Sequence, residues 1–240
     1  SSGSFAKLNP LIRKGIRERL RMKQFIAWGL LTLILTSFTY LTAYLEGSDG
    51  QWNYDEKSES WEKGEPSPVN GARKAFPWLL GVQGFILMFL GTGRMAGGTA
   101  EERETGLLDY QRMTPMRPHS KIIGYLFGLP AREYFMFALT LPFLIHAIVV
   151  GELSPGKVFH LYGVFLSCVL LYHLTAHVTG LIVSKPRAAS WVSRMVVLGL
   201  YVFLPGLGQA GFSFLSFLTL LPTYFGLMSE ELILVGPQNL

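Results

Sequence analysis

Five stretches of this 240-residue chain run for 18 residues or more without a charged side chain. They are 25–45, 75–93, 134–151, 158–184 and 195–229. A helix rises about 1.5 Å per residue, so about 20 apolar residues cross the roughly 30 Å hydrocarbon core of a bilayer. In lipid the backbone must pair with itself, which makes such runs helices. None alternates apolar and polar residues as an outer-membrane strand does. The runs predict an all-α, polytopic helical membrane protein. Charged residues make up 15% of the chain, against about 25% in a soluble domain. Half of the residues are apolar, which excludes a disordered chain. The single cysteine, Cys168, excludes a disulfide framework or a cysteine-based metal centre within one chain.

Lys and Arg mark the cytoplasmic side of a membrane protein. The first 24 residues carry seven bases and one acid, Glu18. The loop from Glu46 to Glu65 carries seven acids and two bases. Five bases lie from Arg94 to Lys121 and three from Lys185 to Arg194. This alternation predicts a cytoplasmic N-terminus and a multi-pass protein of the cytoplasmic (inner) membrane. The net charge of +5 is a topology signal; the bases form no single basic domain, so no nucleic-acid partner is expected. The basic leader and first apolar run are too long for a signal peptide. Ser1–Ser4 are set aside from the fold.

The expected layout is a cytoplasmic tail over 1–24 and one transmembrane domain over 25–240. Its five clear spans are about 25–45, 76–93, 131–150, 158–183 and 188–204, with an outer loop at 46–74. Arg132 and Glu133 then sit at the inner interface, before the third span. Pro205–Gly208 breaks the last apolar run, and 212–228 is a re-entrant hairpin or a short sixth span. On the hairpin reading the natural chain continues past Leu240.

Two polar segments stand out. Asn9-Pro10 suits a helix start, and Ile12, Ile16 and Leu20 then repeat on one face beside Arg13, Arg17 and Arg21. This is an amphipathic helix on the inner leaflet, its arginines at lipid phosphates. The second segment is 97–121. Thr99-Ala100-Glu101-Glu102 reads as a capping box, with a charged helix running on to about Arg112 and acids at its positive end. Thr114-Pro115-Met116-Arg117-Pro118 stops it.

Together these segments make the chain resemble the permease of a type-2 ATP-binding-cassette (ABC) exporter. Asn9–Arg21 is similar to that family's opening. Glu101-Glu102-Arg103-Glu104-Thr105-Gly106-Leu107-Leu108-Asp109 with Thr114-Pro115 and Arg117 is similar to its segment between the second and third spans. Thr105-Gly106 stands in the reverse of the family's Gly-Thr order. The resemblance implies that this segment is a coupling helix, with Glu101, Glu102, Glu104, Thr105, Gly106, Leu107, Asp109, Thr114, Pro115 and Arg117 facing an ABC ATPase subunit. It implies a second permease half, as a homo- or heterodimer, and membrane lipids as further partners. ATP and Mg belong to the ATPase; no cofactor, catalytic residue or metal is expected in this chain, which is then not an enzyme.

Other signals point elsewhere. Gly151–Val158 nearly spells a phosphate-binding loop, but has Val158 where a magnesium-binding hydroxyl belongs and no strand before it. Gly206–Gly211 mimics a dinucleotide fingerprint inside an apolar run and reads as a helix break. His173 and His177 share a helix face and could ligate a metal or haem, which leaves an intramembrane enzyme as the alternative function. A non-transporting anchoring or assembly protein is the other.

Overall fold

The computed structural model of the chain describes residues 22–50, 52–55, 60–113, 117–207 and 213–234. In order, its elements are α1 (Met22–Ser48), β1 (Trp52–Asp55), β2 (Ser60–Lys63), α2 (Pro68–Gly84), a π-helical segment (Phe85–Gly91) and α3 (Thr92–Glu104). Then come α4 (Leu107–Arg112), α5 (Pro118–Gly128), α6 (Ala131–Val150), α7 (Pro155–Ile182), α8 (Pro186–Leu207), a 3-10 turn (Ser213–Leu218) and α9 (Leu221–Leu234). Four helices are long and apolar enough to cross a membrane: Phe25–Ser48, Pro68–Glu104, Ala131–Val150 and Pro155–Ile182.

The structure refines several expectations. The fold is all-helical as expected, with one small addition: β1 and β2 pair antiparallel with Tyr54 opposite Trp61. The second apolar helix starts at Pro68, where the Ser67 hydroxyl caps the amide of Asn70 and proline fits the first turn. It continues through the π-helical segment to Glu104 as one helix of 37 residues. Arg194, a base of the Lys185–Arg194 cluster, lies inside α8.

Contacts divide the chain into two units. One comprises Met22–Ile86 and Phe135–Val158. In it α1 buries a stripe of small or polar residues, Gly29, Thr32, Thr36, Tyr40 and Ala43, while Ile34 and Phe38 are about two-thirds exposed, at 66% and 68%. That is the reverse of a soluble helix and fits one bathed in lipid. Thr32 satisfies its hydroxyl on the Trp28 carbonyl at 2.7 Å, as a hydroxyl in hydrocarbon must. Gln83 donates to the Thr140 hydroxyl at 2.8 Å, and Tyr40 bonds His146 Nδ1 at 2.8 Å.

The other unit includes Leu87–Tyr134 and the described residues from Phe159 onward. Its core gathers Met95, Ala96 and Ala100 of α3, Tyr125 of α5, Leu129, Ala176 of α7 and Ala189 of α8. Alanines here let helices approach closely, and close approach maximises dispersion contacts where no water remains to be expelled. The 3-10 turn is tied to this unit: the Tyr172 hydroxyl donates to the Leu218 carbonyl at 2.6 Å.

Candidate functional site

The segment after the second apolar helix is built differently from its sequence pattern. Thr99 does not cap a helix. Its side chain is fully buried, and its hydroxyl bonds His177 Nδ1 at 2.9 Å. A partner 78 residues away overrides the local capping preference. Glu101, Glu102 and Glu104 therefore stand at the C-terminal, negative end of α3, not at a helix start.

α3 stops at Thr105-Gly106. The Thr105 hydroxyl donates to the Glu101 carbonyl at 2.9 Å, and Gly106 takes φ +72° while its amide donates to the Arg103 carbonyl at 3.1 Å. Left-handed backbone at the end of a helix selects glycine. The order Thr-Gly thus places each residue where the turn needs it. Gly106→Ala would meet no neighbouring atom, so its cost is backbone strain alone. We expect a loss of about 1 kcal/mol, with Gly106→Asn less costly. Thermal unfolding of the pure protein, with limited proteolysis at 100–113, measures both; a Gly106→Ala protein as stable as the parent refutes the claim.

α4 follows as a separate six-residue helix. Glu101, Glu104, Thr105, Gly106, Asp109 and Arg117 are exposed, whereas Glu102 and Leu107 are half-buried. Leu108 packs on the alanine core. Thr114 and Pro115 lie outside the described residues, as do Arg13, Arg17 and Arg21. Arg117 extends at the start of α5, with Pro118 in its first turn.

Beneath this end, α3 and α7 meet without space between them. A Cβ added at Gly180 would come within 2.5 Å of the Ala96 carbonyl oxygen and 2.7 Å of Thr99 Cβ. The His177 ring lies 5.0 Å from the Tyr125 ring. One turn back along α7, His173 is fully buried. Its Nε2 faces the Leu87 carbonyl at 3.0 Å and its Nδ1 the Tyr134 hydroxyl at 3.1 Å. A carbonyl only accepts, so Nε2 carries the proton and Nδ1 accepts from Tyr134. One imidazole of α7 thus ties Leu87 to Tyr134.

Residues 7–207 match the family described as ABC-2 type transporter. The chain belongs to that family. No curated protein and no solved structure matches it. As an ABC-2 permease it is a multi-pass transport subunit and not itself an enzyme. ATP hydrolysis in such a system resides in a partner, and the family implies an ABC ATPase and typically a dimer.

In this ABC-2 permease both ring nitrogens of His173 are engaged by protein groups. Among the described residues, no group of three or more His, Cys, Asp or Glu could hold a metal. The phosphate-loop mimic at 151–158 is a turn followed by the first residues of α7. Two contributors carry no obvious mark in the sequence: Gly180 and Tyr134. The spacing of Ala176 and Gly180 by four residues was a usable signal, since small residues one turn apart mark close helix contacts. Nothing local marks Tyr134 as the partner of a histidine 39 residues later.

Proposed function

We propose that this permease exports its substrate across the cytoplasmic membrane, with its N-terminus in the cytoplasm and the segment from Glu101 to Arg117 engaging the ATPase that holds ATP and Mg. The supporting observation is the exposed acidic end of a long helix. Glu101 and Glu104 project from the last turns of a continuous 37-residue helix. The helix dipole disfavours acids there by about 0.3–1 kcal/mol each. Residues kept against local preference fit a site used for binding. A helix that crosses the membrane and ends in such a surface can carry a push from an ATPase into the bilayer.

On this reading α8 is a fifth span. α9 has 14 residues, about 21 Å, which is short for a crossing and suits the inner limb of a re-entrant hairpin. Two permease halves line the path. The positive-inside distribution supports the orientation.

Charge reversal tests the coupling surface. Glu101→Lys with Glu104→Lys should lower substrate-stimulated ATPase activity of the reconstituted complex by about fivefold or more, because like charges then face the partner's bases. Membrane insertion should not change, and thermal stability should hold or rise slightly, because bases suit the negative end of α3. Full stimulation in a normally inserted double variant would remove this segment from the interface.

A further inference from the structure

Arg194 is a cation in an unusual place. It sits eight residues into α8, about 12 Å from the start of that helix at Pro186. Its guanidinium carbon lies 5.7 Å from the Phe89 ring centre and 5.9 Å from that of Trp191. Below it is Gly93, where an added Cβ would come within 2.8 Å of the Arg194 Cζ. The guanidinium thus rests in a slot made by two aromatic faces and a missing side chain.

The slot holds the charge but does not satisfy it. Nε is buried and has no hydrogen-bond partner among the described residues. Among those residues no carboxylate pairs with Arg194 either. Aromatic faces attract a cation yet accept few hydrogen bonds, and a guanidinium offers five N–H donors in a fixed fork. That fork matches an anion that presents two oxygens, above all a phosphate.

We propose that Phe89, Gly93, Trp191 and Arg194 form a site for a phosphate anion, supplied by the headgroup of an anionic phospholipid. Three features favour a lipid source. Trp191 is 54% exposed, the placement of an aromatic at the membrane interface. Arg187, also exposed, precedes Arg194 by seven residues and so shares its helix face, two turns nearer the start of α8. The long arginine side chain can reach from within the hydrocarbon toward the headgroups. The site needs only a chain in a bilayer. It does not depend on transport direction or on how the ATPase docks.

Native mass spectrometry of the full chain in detergent tests this, with phosphatidylglycerol or phosphatidylcholine added. Phosphatidylglycerol should bind in preference, and Arg194→Gln should weaken that binding by about fivefold or more. Gly93→Ala keeps the charge but fills the slot, and should weaken binding similarly. Arg194→Lys, a point charge without the fork, should fall between. Lys157→Gln, which removes a base at the start of α7, should bind as the parent does. Equal phosphatidylglycerol binding by parent, Arg194→Gln and Gly93→Ala would overturn the site. Displacement of the lipid by millimolar inorganic phosphate would keep the anion site and overturn the lipid as its source.

Discussion

His173→Leu should destabilise the permease by about 2 kcal/mol. Leucine nearly fills the space of the ring, so little of this loss is cavity. It comes from two polar groups that each lose a partner in a dry interior. The Leu87 carbonyl loses its 3.0 Å donor, and the Tyr134 hydroxyl loses its 3.1 Å acceptor and keeps only the longer bond to the Leu126 carbonyl at 3.4 Å. Each unsatisfied buried group costs about 1–3 kcal/mol, toward the low end where other polar groups can take over within the membrane. The companion variant separates this cause from packing. Tyr134→Phe in the His173→Leu background removes one of these groups, so the double variant should be less destabilised than the two single losses summed. Thermal unfolding in one detergent reads all three. A loss below about 0.5 kcal/mol for His173→Leu would mean that the bonds are worth no more than surface ones.

Gly180→Ala should be at least as damaging, although alanine favours helix by about 1 kcal/mol. Its methyl would lie against the Ala96 carbonyl oxygen and Thr99 Cβ, atoms close to the backbone that cannot rotate away. α3 and α7 must separate. Overpacking costs about 1–3 kcal/mol, and separation also stretches the 2.9 Å bond between Thr99 and His177, worth about 1 kcal/mol more. We expect a net loss of about 1–3 kcal/mol, larger for Gly180→Leu. Coupling should suffer together with stability, since α3 ends at the proposed ATPase surface. Gly163→Ala on the same helix meets no neighbour within 4 Å and should be tolerated. If Gly180→Ala matches Gly163→Ala in stability, the two helices are not in contact as described.

The apolar helices were readable because hydrocarbon leaves a backbone so few options. The charge-free runs at 25–45 and 158–184 lie almost wholly within α1 and α7, and the proline after Leu129 foretold the start of α6 at Ala131. The polar segment was harder. Thr99-Ala100-Glu101-Glu102 satisfies the capping-box pattern in sequence, but capping is worth about 1 kcal/mol and a buried tertiary bond can outbid it. No pattern within ten residues of Thr99 contains His177. Arg194 was read by its charge alone, whereas its place was decided by Gly93 on another helix. The short hairpin at 52–63 pairs Tyr54 with Trp61 across a stretch too polar for any apolar periodicity to reveal it. Local signals succeeded where the solvent dictates the answer and failed where a distant side chain does.

The seven residues Phe85–Gly91 also bear on how this chain is compared with its kin. A π-helical turn bonds each residue to the fifth one along and so holds one residue more than an α-helical turn. One residue shifts the phase of a helix by about 100°. Beyond Gly91 the helix therefore runs about 100° out of phase with an uninterrupted α-helix. A relative with a plain α-helix there would need one residue fewer to present the same face. A residue-by-residue comparison should accordingly open a gap inside this membrane helix, where gaps are normally forbidden, and restore the frame beyond Gly91.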